Sequence, residues 1–185
     1  MNAVAVDVRR DQIKKLAVGL LVGLGALAAV VLVGTRLGSD PRVGPEPQRS
    51  GKAAPDFTLS MSTGKTVSLA DFRGQPLWLT FWTTWCPPCR AEMPDLQDAY
   101  QTSPPGRYQY LAINFGEDPV RVGSFLREIG YTLPVAIDPS GDIALTYRIQ
   151  GLPTHILVDK DGTVRRVYSG VLTRSEMEKW VTNLW

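Results

Sequence analysis

Apolar and polar positions divide the chain into three stretches. Residues 16–34 (LAVGLLVGLGALAAVVLVG) are apolar throughout and carry no charge. A run of that length approaches the roughly 20 residues a helix needs to cross a bilayer, and its glycines are no obstacle, being common in membrane helices. Residues 35–54 show no apolar periodicity and contain Pro41, Pro45 and Pro47, which reads as an extended linker. From Pro55 the pattern becomes that of a folded domain. Asp56–Leu59 and Lys65–Leu69 read as short strands around a Ser62-Thr63-Gly64 turn, and Leu77–Trp82 (LWLTFW) as a buried central strand. A helix is expected from about Cys86 to Tyr100, and a strand over Tyr108–Phe115. Pro119–Ile129 reads as a helix with Val122, Phe125, Leu126 and Ile129 on one face. Ile143–Tyr147 reads as a short helix. His155–Val158 and Thr163–Tyr168 flank an Asp159-Lys160-Asp161-Gly162 hairpin turn, and Ser175–Leu184 forms a closing helix capped by Thr173. Strands alternating with helices, then a hairpin and a last helix, predict an α/β domain with a central mixed sheet covered on both faces.

Charge sets the orientation of the apolar stretch. Arg9, Arg10, Lys14 and Lys15 precede it, so the positive-inside rule keeps residues 1–15 in the cytoplasm, makes 16–34 a transmembrane signal-anchor, and puts everything after the linker outside. Cleavage at Ala26-Leu27-Ala28 is the competing reading, although the apolar run continues past that point through Val33. The net charge of +2 gives no electrostatic case for nucleic acid as a partner.

The chain has two cysteines, Cys86 and Cys89, and no others. A disulfide between them closes almost no loop and would stabilise little through chain entropy, which argues for chemistry over structure. The pair follows a buried strand and opens a helix, a redox constellation. Free N–H groups and the helix dipole favour a thiolate at Cys86, and Pro87 and Pro88 suit the opening turn. Cys86 is then the exposed attacking thiol and Cys89 the more buried resolving one. Half a zinc site is the bland alternative, but only one histidine and no further cysteine are on offer. Trp82 reads as core, Trp85 as a partly exposed wall for a substrate chain, and Arg90 as solvated. Pro94 falls inside the helix and should kink it.

The segment Trp85-Cys86-Pro87-Pro88-Cys89-Arg90-Ala91-Glu92-Met93-Pro94, with Ala54–Leu59, Phe72–Pro76, Gly151-Leu152-Pro153-Thr154 and Val158–Gly162, resembles the thioredoxin superfamily. Within it the chain is similar to the membrane-anchored TlpA/ResA/CcmG-like branch of extracytoplasmic thiol–disulfide oxidoreductases. The resemblance covers residues 53–185 and implies a thioredoxin-like domain over 55–185, with no cofactor beyond the redox-active cysteine pair. It implies that Pro153 is a cis-proline facing the cysteines, with Leu152 and Thr154 beside it in the substrate-binding loop. Thioredoxins of the cytosol keep an aspartate six residues before the first cysteine; here that position is Thr80. Glu92, one turn after Cys89, is the substitute proton partner that the resemblance implies, with a first-turn acid that merely suits the helix dipole as the alternative. His155 reads as a packed strand residue, with tuning of Cys86 as the other option.

The resemblance also implies a reductant on the periplasmic side of a bacterial membrane. Its partners would be disulfides of apocytochrome c or of copper-site assembly proteins, and its electrons would come from a membrane donor of the CcdA or DsbD kind. A tethered oxidase or isomerase, a peroxiredoxin-like peroxidase suggested by Thr83-x-x-Cys86, and a non-enzymatic binding or chaperone module are the alternatives.

Overall fold

The computed structural model describes residues 50–183. The expected anchor over 16–34 and most of the linker lie outside the described residues. Among the described residues no helix is long and apolar enough to cross a membrane.

Seven strands and four helices follow in the order β1 (Thr58–Met61), β2 (Thr66–Ser68), β3 (Leu77–Trp82), α1 (Pro87–Thr102), β4 (Gln109–Phe115), α2 (Pro119–Glu128), β5 (Val135–Asp138), α3 (Asp142–Thr146), β6 (Thr154–Val158), β7 (Val164–Ser169) and α4 (Arg174–Asn183), with a 3-10 turn over Leu69–Phe72. They form one sheet in the order β2-β1-β5-β4-β3-β6-β7. The β3, β4 and β5 pairings are parallel, and every other pairing is antiparallel. Alternation along β3 sorts the core onto two faces. Trp78 and Trp82 join residues of α1, α2 and α4 on one side, while Leu77, Leu79 and Phe81 join Ala144 and Tyr147 on the other.

Most predicted elements are present, and the differences have local causes. β1 lies two residues later than expected. The predicted second strand loses Leu69 because the Asp71 carboxylate accepts from the Ser68 N–H (2.7 Å) and hydroxyl (2.9 Å), a capping box that turns the chain into the 3-10 segment. β5 was not expected at all: Val135–Asp138 has four residues between Pro134 and Pro139, and so short a run reads as loop. Its neighbours make it a strand, β4 parallel on one side and β1 antiparallel on the other. Ile129 ends α2 as its C-cap and is 41% exposed, off the buried face formed by Val122 and Leu126. The folded part also reaches further back than Pro55. Gly51 N–H donates to the Val164 carbonyl and Ala54 N–H to that of Gly162, placing the end of the expected linker against the β6–β7 hairpin. That hairpin turns as predicted: Asp159 Oδ1 accepts from the N–H groups of Asp161 and Thr163, and Gly162 supplies a φ of 82°.

Candidate active site

The loop from β3 into α1 is Thr83-Thr84-Trp85, and Cys86 is the helix N-cap with extended backbone. Its sulfur accepts the Cys89 N–H at 3.2 Å. A cap side chain ordinarily reaches the N–H groups of the second and third helical residues. Here the second is Pro88, which has none, so the Cys89 N–H at the third is the donor that remains. Cys86 and Cys89 are joined in a disulfide, S–S 2.03 Å and Cα–Cα 5.3 Å. The expected contrast in exposure is absent in this oxidised state: Cys86 is 3% exposed and Cys89 2%. Pro94 lies within α1.

The other wall comes from the start of β6. Thr154 pairs with Phe81, so the residues just before β6 lie at the sheet end from which β3 runs on to Cys86. The Leu152–Pro153 peptide bond is cis, as the resemblance implied. Leu152 is half-buried and packs on the apolar cluster that contains both cysteines. Thr154 does not offer its side chain to a partner. It is buried, with its hydroxyl donating to the Gly151 carbonyl and paired with the Ser169 hydroxyl, both at 2.7 Å, so it braces the loop. Trp85 is 62% exposed beside Cys86, whereas Trp82 is core. Arg90 is exposed but not merely solvated, because its guanidinium lies over the Phe125 ring, 5.5 Å from the centroid.

Beneath the helix lies a buried polar layer. Glu92 is fully buried, and its Oε1 accepts the Leu172 N–H at 2.7 Å. His155 is likewise buried on β6, with Nε2 3.3 Å from Glu92 Oε1. Nδ1 of that ring takes the Trp78 indole N–H at 3.2 Å and lies 3.2 Å from the Thr80 hydroxyl. Burial pushes the Tyr108 phenol up to about 12 and raises those of Tyr110 and Tyr131 as well, so these neighbouring phenols stay neutral.

Glu117, a further buried carboxylate, was missed by sequence reading. It accepts from the Thr84 N–H (2.6 Å), the Thr84 hydroxyl (2.5 Å) and the Asn114 amide (2.7 Å), with Arg121 at 3.5 Å. It thereby pins the loop that leads into Cys86. Asp118-Pro119 beside it is a helix-start signal, and Asp118 does cap α2. An acid next to such a signal reads as one more surface charge.

A cysteine disulfide at a helix start, set against a cis-proline loop on a mixed sheet, defines a thiol–disulfide oxidoreductase of thioredoxin fold that works through its cysteines without a cofactor. The chain belongs to the AhpC/TSA family, which matches residues 50–167. It is 35% identical over 134 residues to the thiol-disulfide oxidoreductase ResA of Geobacillus thermodenitrificans, covering 72% of this chain and 77% of that one. Among solved structures it resembles the pneumococcal exposed lipoprotein thioredoxin of Streptococcus pneumoniae, with TM-score 0.65 and 29% identity, covering 70% of this chain and all of that one. StoA from Bacillus subtilis is similar too, with TM-score 0.62 and 27% identity, covering 69% of this chain and 96% of that one. Among the described residues no cluster of side chains could hold a metal ion.

Proposed function

We propose that this enzyme is a membrane-tethered reductant of protein disulfides on the extracytoplasmic side, acting through Cys86 and Cys89. The observation that carries the direction is the helix start. An oxidising dithiol is one whose reduced form is stabilised. Pro88 withholds one of the two N–H groups that would stabilise a Cys86 thiolate, and no histidine stands between the cysteines. The reduced pair is therefore held less firmly and gives up its electrons more readily.

Trp85 and the Leu152-Pro153 segment form the surface for a partner chain, which would lie beside Leu152 strand to strand with its disulfide at Cys86. The charge-free stretch 16–34 and the basic residues before it support an anchor with the N-terminus inside. A tether raises effective concentration near membrane partners, which suits resupply by a CcdA- or DsbD-like electron donor. The family resemblance supports apocytochrome c or copper-assembly proteins as the partners. The Thr83-x-x-Cys86 spacing keeps a peroxidase as the rival. The Thr83 side chain is fully buried, however, and Cys86 is paired within its own helix, an arrangement suited to dithiol exchange.

The test is the midpoint potential of the cysteine pair in the full chain, equilibrated in graded thiol–disulfide buffers. A value more reducing than about −180 mV, the level of protein disulfide isomerase, supports a reductant. A less negative value makes the protein an oxidase or isomerase instead.

A further inference from the structure

His155 is a buried imidazole that the cysteine chemistry, as described so far, does not use. The groups facing it are Trp78 and Thr80 from β3, Glu92 from α1, Tyr168 from β7 and Trp180 from α4. Glu92 is the one carboxyl among them and Tyr168 the one phenol. The Glu92 charge in turn helps to keep the phenols of Tyr110 and Tyr131 neutral.

The tautomer of this ring follows from its neighbours. An indole N–H can only donate, so Nδ1, which receives it from Trp78, is an acceptor. The neutral ring therefore carries its hydrogen on Nε2, the nitrogen that faces Glu92 Oε1 at 3.3 Å. In this oxidised state the two atoms are close without forming an aligned hydrogen bond, and both Nε2 and Glu92 Oε2 are buried without a partner. The carboxyl is thus asymmetric. Oε1 has the Leu172 N–H and faces the imidazole, while Oε2 has nothing. A buried carboxylate needs donors, and His155 is the side chain placed to give one.

We propose that His155 is a positioning residue for thiol exchange: its Nε2–H closes on Glu92 Oε1 in the reduced enzyme and leaves Oε2 free to take the Cys89 proton. This rests on the dithiol reading above. The Cys86 thiolate attacks one sulfur of a partner disulfide, that S–S bond breaks, and the other partner sulfur leaves as thiolate. Cys89 passes its proton to Oε2, and its thiolate then attacks the Cys86 sulfur. The mixed disulfide breaks, the second partner sulfur leaves as thiolate, and the Cys86–Cys89 bond forms. Two electrons pass to the partner, and Glu92 holds one proton.

The experiment follows both exchanges in the full-length reduced protein with oxidised glutathione, using acid quench and mass spectrometry from pH 6 to pH 8. His155→Leu removes the donor, and His155→Gln keeps one. With Leu, the mixed disulfide forms at the normal rate, its resolution slows on the order of tenfold, as expected for losing a hydrogen bond to a charged group, and the pH profile of that step changes. With Gln the rate returns to within about threefold, since the donor is kept. Glu92→Gln with His155→Leu is no slower than Glu92→Gln alone. An unchanged rate and profile in His155→Leu, a Gln variant as slow as Leu, or multiplying effects in the double variant would each overturn the assignment. If the Leu variant does not fold, nitrogen NMR of the native imidazole decides: an Nε2–H tautomer in the reduced enzyme supports it, and Nδ1–H overturns it. An oxidising midpoint potential would overturn the proposed direction yet leave this assignment intact, because the Cys89 step runs in either direction.

Discussion

Replacing Glu117 tests whether the loop before Cys86 is held by a buried carboxylate. Glu117→Ala leaves the Thr84 N–H and the Asn114 amide hydrogens without their acceptor, in a site where Glu117 itself is only 8% exposed. Removing one side of a buried charged cluster costs about 3–5 kcal/mol. Arg121 does not soften this much, because its side chain is 65% exposed and its charge is screened by solvent. Glu117→Gln is a milder change. Its amide can donate to Asn114 Oδ1, a buried oxygen that has no partner in the native protein, so the expected loss is about 1–2 kcal/mol. For a domain of this size each kcal/mol lowers the melting temperature by roughly 3–5 °C, so Ala should lower it by roughly 9–25 °C. The assay is urea and thermal unfolding of the oxidised protein, with a double-variant cycle against Thr84→Val. Strong coupling between the two positions is expected. An Ala variant within about 1 kcal/mol of native, or one no worse than Gln, would refute the idea that Glu117 holds the loop.

Three further outcomes follow from other parts of the molecule. Pro88→Ala restores the missing N–H at the helix start, a gain for the thiolate of about 0.3–1 kcal/mol, so the midpoint potential should become less negative by about 6–20 mV in the same graded buffers. Trp85→Ala should leave the unfolding midpoint within about 0.5 kcal/mol of native, because the side chain is exposed. It should slow exchange with a disulfide-containing protein while exchange with glutathione is unaffected. Asp159 is drawn up by partial burial, but the Thr163 N–H, Arg165 and the Asp161 N–H outweigh that and hold it below its usual 3.8. A depressed carboxyl contributes stability that is complete above its unfolded value and lost as pH falls through the folded one. The stability gap between native protein and Asp159→Asn, followed by urea titration, should therefore be constant at neutral pH and close only below about pH 4, near the unfolded value. A gap that closed above pH 5 would contradict this.

The sequence was legible wherever a local signal and the global fold agree. LWLTFW reads as a central strand and Asp159-Lys160-Asp161-Gly162 as a hairpin turn, because residue chemistry and sheet geometry favour the same conformation there. β5 was hidden because four residues between two prolines carry no periodicity, and its strand character comes from pairing with β4 and β1. The cysteine pair stood out for the same local reason as the turn. The bracing role of the Thr154 hydroxyl did not, since whether a threonine hydroxyl faces a partner or its own loop depends on Ser169, fifteen positions away.

Of the buried acids near the cysteines, Glu117 was missed and Glu92 was found through the family resemblance, and for one physical reason. Glu92 and Glu117 occupy polar positions that pattern reading assigns to solvent, yet both are buried. Each is kept inside by donors brought from elsewhere in the chain: Leu172 for Glu92, and Thr84 for Glu117. One carboxyl holds the loop entering Cys86, and the other lies one turn past Cys89. The redox helix start is thus bracketed by acids whose environment only the folded chain creates. A thioredoxin motif fixes which sulfur atoms react. These distant donors hold both carboxyls in place, and in the proposed mechanism they decide where the resolving proton goes, so the cysteine motif alone cannot distinguish this enzyme's behaviour from that of another protein with the same C-x-x-C.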